Sequence, residues 1–463
     1  MPRIVKPAKP LAVDPLKVSQ PVGATLAFLG LQNSMPLMHG AQGCTAFAKV
    51  FFVRHFREPI PLQTTAMDPI SSVMGADENV IEALTTIAGK SKPQIIGLLT
   101  TGLSETQGAD IHRLVKEFRS QHPEHADTAV VAVNTPDMVG CLESGHALAV
   151  EAIIDALVPQ SRLAGRRPRQ VNVLAGSALQ PGDIEALKDW CAAFDLQPVV
   201  VPDIGDALDG HLIDAEFTPL TLGGTPRAEI AALGEAAATL VIGASLSAAA
   251  DLLEARTGVP DFRFQGLMGL DACDALTQTL AKIAGRPVPA SLERQRAQLQ
   301  DAMVDCHFMT GFARIAVASD PDLLAGFVPF LHGMGAEIVA AVTPMRTPVL
   351  DELPLEEVIV GDLQDLAQAA GRRDAQLLIA NSHAAATAKR LGVPLLRAGF
   401  PQYDWVGGYA RTWIGYRGTR QTLFDLANLM LSRHHEIRPY RSLYWQGSAR
   451  AQDVAPADAR PLH

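Results

Sequence analysis

The 463-residue sequence has few cysteines, few aromatic residues and no excess of positive charge. Its five cysteines, Cys44, Cys141, Cys191, Cys273 and Cys306, are odd in number, far apart and never spaced as CxxC. That pattern excludes a disulfide framework and points to a reducing, cytoplasmic setting. It also excludes an iron–sulfur cluster built from one local stretch of the chain. No apolar run approaches the ~18 residues needed to cross a membrane. The opening stretch, MPRIVKPAKPLAVDP, carries charges and prolines but lacks the apolar core of a signal peptide. The net charge of −10 excludes a nucleic-acid partner, because phosphate binding requires a positive surface.

The composition is otherwise that of a globular protein, with 48% hydrophobic and 19% charged residues. An aromatic share of 5% with abundant Ala, Leu and Val suits helices packed on sheets better than a β-sandwich. Short apolar runs recur at 95–99, 130–133, 171–174, 199–201, 240–242, 314–317, 338–342, 358–360, 377–379 and 395–396. Most lack period-2 alternation, as expected of strands covered on both faces. Helix-like segments lie between them at 110–120, 145–157, 181–194, 228–238, 247–257, 321–334 and 383–391. The alternation predicts an α/β fold of parallel sheets. Linkers at 161–170 (SRLAGRRPRQ) and around 285–302 divide the chain into three doubly wound units. The expected domains are 1–165, carrying the cysteine loop at 44, then 166–300, then 301–463 with a C-terminal helix. The tail after Arg433 is expected to be partly disordered by composition.

Nucleotide and hydrolase motifs are missing: there is no GxGxxG, no GxxxxGK[ST] and no GxSxG. Gly223-Gly224-Thr225-Pro226 reads as a tight turn before a helix. Gly243-Ala244-Ser245 and Asn381-Ser382-His383 are strand-end loops, where open α/β sheets place ligands but where plain helix capping is commoner. Thirteen histidines include no HxH or HExxH spacing. His122 and His125, in QHPEHAD, read as solvated. Four of the cysteines sit in or beside helical segments among apolar neighbours, as small buried hydrophobes do.

Cys44 differs in setting. It closes the run NSMPLMHGAQGC and opens a helix-like TAFAKVFFVRHF. Amide groups at a helix start favour a thiolate, and Gly40 and Gly43 are expected to let a bulky ligand approach the backbone. A buried cysteine at a tight turn fits the same residues. Lys49, His39 and Arg54 lie near enough in sequence to tune its charge, though ordinary solvation or helix pairing explains each.

The segment 19–61, SQPVGATLAFLGLQNSMPLMHGAQGCTAFAKVFFVRHFREPIP, resembles the β-type chains of the nitrogenase superfamily, in which the HGxQGC loop carries a cluster-binding cysteine. The similarity continues through DENVIEA at 77–83, LLTTGLSETQ at 98–107, VNTPD at 133–137, RAGFPQYDW at 397–405 and GYRGT at 415–419, in order along the chain. It implies three Rossmann-like domains. In the catalytic β chain three cysteines help hold an eight-iron cluster; the positions matching them are Ser19, Cys44 and Gly102, so only the middle thiolate survives. The resemblance therefore implies a scaffold for maturation of the iron–molybdenum cofactor, not a turnover enzyme, though weak reductase activity is compatible with it. Its α-type partner would be NifE, in an α2β2 heterotetramer. Cys44 would be the only ligand from this chain, both cofactor-binding and metal-binding, to a [4Fe–4S] cluster shared with that partner. The cofactor precursor would sit mainly on the partner, and the nitrogenase iron protein would dock transiently. Two rivals stand beside this reading: an oxidoreductase subunit (the catalytic nitrogenase β chain or a dark-operative tetrapyrrole reductase chain), and a metal-free small-molecule binding protein.

Overall fold

The computed structural model describes residues 1–9, 12–212 and 218–432. Three parallel sheets organise them. The first has the order β3-β2-β4-β5, from β2 (Ser34–His39), β3 (Gln63–Thr64), β4 (Ile95–Thr100) and β5 (Ala129–Val133). The second, β7-β6-β8-β9, uses β6 (Arg167–Ala175), β7 (Gln197–Val201), β8 (Ala236–Ile242) and β9 (Asp261–Phe264). The third, β1-β12-β11-β10-β13-β14, uses β1 (Arg3–Val5), β10 (Arg314–Ala318), β11 (Glu337–Thr343), β12 (Glu357–Val360), β13 (Leu377–Ala380) and β14 (Leu395–Arg397). Apart from the edge strand β1, each sheet reverses strand order once, so each is a doubly wound, Rossmann-like unit with a switch point at its carboxyl edge. Among the described residues no helix is long and apolar enough to cross a membrane.

All ten expected strands form. Four more were not legible from the apolar runs. β1 and β3 are edge strands of three and two residues. β2 contains Pro36, which cannot donate to a ladder and so argues against a strand. The strand survives because its partner on one side, β3, pairs only with Leu37 and Met38, while β4 pairs along its whole length. β1 lies in the stretch assigned to the first domain but pairs with β12 at the edge of the third sheet.

The helix expected over 228–238 is corrected. A short helix, Arg227–Ala231, and one 3-10 turn, Leu233–Glu235, are followed by β8 from Ala236. The Ala-rich run favours helix, but pairing of β8 with β6 overrides that local preference. The tail after Arg433 lies outside the described residues.

The first sheet positions the cysteine loop. β2 and β4 are buried at every residue. Helix α1 (Gln20–Leu29) is buried all round, as a core helix should be. It approaches β4 closely enough that a Cβ at Gly97 would lie 2.5 Å from the Phe28 ring. On its other side it crosses α7 (Leu142–Leu157) backbone to backbone. A Cβ on Gly23 would meet the Leu142 carbonyl oxygen at 1.8 Å, and one on Gly145 the Gln20 carbonyl oxygen at 2.0 Å. Between α1 and α7 in the chain run α2 (Gln42–Phe56), α3 (Ser71–Met74), α4 (Asp77–Lys90), α5 (Gly102–Gln107) and α6 (Ile111–Gln121).

Candidate cluster-ligand site

β2 and β4 flank the switch point of the first sheet, with His39 opposite Thr100 at the carboxyl ends. The loops 40–44, 101–102 and 134–140 therefore leave the sheet side by side. The paired threonines fasten them. Thr101 donates its hydroxyl to the His39 carbonyl at 2.9 Å. Thr135 donates its N–H to Thr100 Oγ1 at 2.7 Å and its own hydroxyl to the Thr100 carbonyl at 2.6 Å. Thr65 holds the other side, bonding His39 Nδ1 at 2.9 Å and accepting the Gly40 N–H at 3.2 Å.

Cys44 is the third residue of α2 and its side chain is exposed. The two glycines of the loop do different work. A Cβ at Gly40 would lie 2.5 Å from Thr101 Oγ1, so Gly40 is needed by a packed threonine and not by a ligand. Gly43 faces open space, leaving room for a bulky group against the backbone beside Cys44. The expected activation of the thiol by the helix start is also corrected. Desolvation raises the Cys44 pKa above the ordinary thiol value and the nearby Asp137 carboxylate raises it further, outweighing the amides of Ala41 and Cys44.

The two positions that lack a thiolate fall at the same edge. Gly102 opens α5 and donates its N–H to Asp137 Oδ2 at 2.9 Å. Ser19 heads α1 without capping it through its side chain. Two residues earlier, Lys17 donates from Nζ to the Asp137 carbonyl at 2.8 Å. Asp137 thus links the three segments. Sequence reasoning passed over it, although VNTPD places a carboxylate just beyond a strand end.

The other four cysteines are buried. Burial pushes the Cys191 thiol up to about 12 and those of Cys141, Cys273 and Cys306 upward as well, and none of the four presents its sulfur at the surface. His39 is buried and held neutral, with burial pushing its pKa down to about 4. Arg54 lies over the Tyr403 ring, 5.3 Å from its centroid. His122 and His125 are half-buried and ring-packed against Phe118, so they are less solvated than expected. Among the described residues no group of three or more His, Cys, Asp or Glu side chains could hold a metal ion.

The other strand-end loops bind the domains together. Ser245 donates its hydroxyl to Asp322 Oδ2 at 2.5 Å, and Asn381 caps the turn at His383. Gly224, with φ +96°, is pressed against the Gly30 backbone and donates to Asp206 Oδ2, which is the tight turn expected.

The rim of the cysteine loop is apolar and uncovered. Phe47, Val50 and Val53 on α2, Ile70, Val73 and Met74 at α3, and Met138 and Val139 after β5 are all exposed, Val73 and Met74 by 80% each. Single exposed apolar residues are ordinary; eight around one loop mark an interaction surface.

A fold of three parallel Rossmann-like units with a lone exposed cysteine at the first switch point defines a class, and the chain belongs to it. The profile of the family described as nitrogenase component 1 type oxidoreductase matches residues 19–431, so this is a member of that family. Within it, the chain is similar to proteins named nitrogenase iron-molybdenum cofactor biosynthesis protein NifN. It is 48% identical to that of Klebsiella pneumoniae, covering 95% of each chain, and 43% identical to that of Bradyrhizobium diazoefficiens, covering 94% of this chain and 92% of the relative. Among solved structures it superposes on a chain of "Nitrogenase Cp1 at pH 6.5" with TM-score 0.87 and 29% identity, over 95% of this chain and 98% of the other. A chain of "Nitrogenase Cp1 at pH 5", 13% identical with TM-score 0.70 over 93% and 90%, shares the fold.

Proposed function

We propose that this chain is a non-catalytic scaffold subunit for maturation of the nitrogenase iron–molybdenum cofactor. It pairs with NifE and contributes Cys44 as its single thiolate to a [4Fe–4S] cluster at their interface. The observation that carries this reading is the exposed Cys44, flanked by the open space at Gly43, while Ser19 and Gly102 bring no thiolate to the same edge. The names of the NifN relatives supply the cofactor.

The residues fit one corner of a four-iron cluster and no more. Such a cluster takes about four ligands, mostly thiolates, so three must come from the partner. Cys44 would hold it on this side, and when bound it supplies one-electron transfer. The exposed rim around Cys44 is where burial against the partner would desolvate the site. A second apolar face, Val304, Phe308 and Phe312, lies at the end of the helix Ala290–Thr310 with 66%, 80% and 85% exposure. Two apolar faces on different domains suit an α2β2 assembly, which needs more than one kind of contact. The cofactor precursor is assigned mainly to the partner, transient docking to the nitrogenase iron protein, and the complex to the cytoplasm.

The rival oxidoreductase reading, a catalytic β chain, draws on the 0.87 TM-score. Gly102, which has no ligating side chain and has Asp137 packed against it, opposes it. Iron analysis of the complex purified free of precursor separates the two: about four irons per αβ interface support the scaffold, and twice that number at the interface would sink it.

A further inference from the structure

Asp137 is fixed from three directions. Thr135, two residues before it, is tied to Thr100 by two hydrogen bonds. Lys17 holds its carbonyl oxygen at 2.8 Å, and the Gly102 N–H holds its Oδ2 at 2.9 Å. A Cβ built on Gly102 would lie 3.0 Å from Asp137 Oδ2 and 3.3 Å from its Cβ. A side chain at 102 would therefore press on the carboxylate, which would have to give by a few tenths of an ångström to admit it. The other carboxylate oxygen, Oδ1, is buried and has no hydrogen-bond partner among the described residues. Lys17 bonds its carbonyl, and the ammonium also attracts the carboxylate from that side.

We infer that Asp137 stands where the missing third ligand would be: it fills the space in front of Gly102 and sets a carboxylate beside Cys44, so that this side of the site admits one thiolate only. It is a positioning residue, not a ligand. Its charge becomes part of the surroundings of whatever cluster Cys44 holds, and negative charge near a cluster lowers its reduction potential. A plain capping role at the start of α5 would account for the Oδ2 bond alone. It would leave a third thiolate at 102 free to bind with Asp137 in place.

The inference rests on the four-iron reading, and the experiment keeps the two apart. In the complex with the α-type partner, Asp137→Asn should hold the same iron as the unaltered complex and shift its cluster midpoint to higher potential. An unchanged midpoint at full iron content overturns the inference, whereas an unaltered complex without iron at Cys44 overturns the four-iron reading itself. A second comparison covers a variant that loads poorly. Ser19→Cys with Gly102→Cys should leave the iron per αβ unit unchanged while Asp137 is present, and should raise it once Asp137→Ala is added. More iron in the double variant, or none gained in the triple variant, contradicts the inference. A double-mutant cycle on the chain's unfolding gives a reading independent of iron. Gly102→Ala should lower the melting temperature with Asp137 present and scarcely at all beside Asp137→Ala; additive effects contradict the steric part.

Discussion

Gln402 donates its backbone N–H to His55 Nδ1 at 2.9 Å, and the opposite ring nitrogen meets Gln180 Oε1 at 2.8 Å. Nδ1 must then be the bare nitrogen and Nε2–H the donor. One neutral imidazole on α2 therefore joins the cysteine-bearing unit to the N-cap of the helix Pro181–Ala193 in the second and to the loop after β14 in the third.

A first prediction concerns acid. Burial pushes the His55 pKa down to about 4, with Gln180 only partly opposing the shift. The folded state binds fewer protons than the unfolded chain between about pH 6.5 and pH 4. The stabilisation is complete above the unfolded value and is lost as pH falls through that window, by about 3 kcal/mol for this group. His55→Gln should lower the melting temperature at pH 7.5 and flatten its fall on acidification. Differential scanning calorimetry from pH 4 to 8 checks it, and parallel profiles would contradict it.

The second prediction has the opposite sign. Asp322 donates its N–H to Glu143 Oε2 at 2.7 Å while Ser245 donates to Asp322, so three units meet at two buried carboxyls, with Asp320 beside them. Desolvation raises Asp320 and Asp322 to about 6 and Glu143 well above its ordinary range. These groups fold best protonated, so their contribution is present at low pH and lost as pH rises through the folded values. Asp322→Asn, which keeps an acceptor for Ser245, should raise the melting temperature at pH 8 and change it little at pH 4.5. A lower melting temperature at pH 8 would count against the account.

The fold was legible wherever apolar runs are continuous, because a strand covered on both faces needs no alternation. It was illegible where pairing supplies what the residues withhold, as at Pro36 in β2 and in the two-residue β3. The Ala-rich stretch before Ile242 misled for the same reason. Cys44 was legible through its resemblance to a known loop. Asp137 and His55 were not, since their partners lie far away in sequence: Gly102 for one, Gln180 and Gln402 for the other. Gly40 carried a signal that pointed to the wrong cause, Thr101 instead of a ligand.

The crossing of α1 and α7 gives a steric prediction. Gly23→Ala would place a methyl group 1.8 Å from a carbonyl oxygen that is itself part of a helix. No side chain is there to move aside. The substitution should destabilise the chain by about 2–3 kcal/mol or more, read as a drop of several degrees in melting temperature. Ala at Gly43, which faces open space, should leave it unchanged.

Thiol chemistry gives a fourth prediction. Of the five cysteines only Cys44 is exposed. In the folded, metal-free chain one equivalent of iodoacetamide should react at Cys44, followed by mass spectrometry. Its rate should still be rising at the pH where an ordinary thiol has levelled off, because desolvation and Asp137 hold its pKa up. Reaction at Cys191 or Cys273 at a similar rate would contradict the burial described above.

The central claim is that a cluster is held here by one thiolate from this chain. Electron paramagnetic resonance of the reduced complex with its α-type partner, unaltered and as Cys44→Ala, tests it most directly. The account predicts an intact complex whose reduced-cluster signal and iron content fall together when Cys44 is replaced. A Cys44→Ala complex with full iron and an unchanged signal would contradict it.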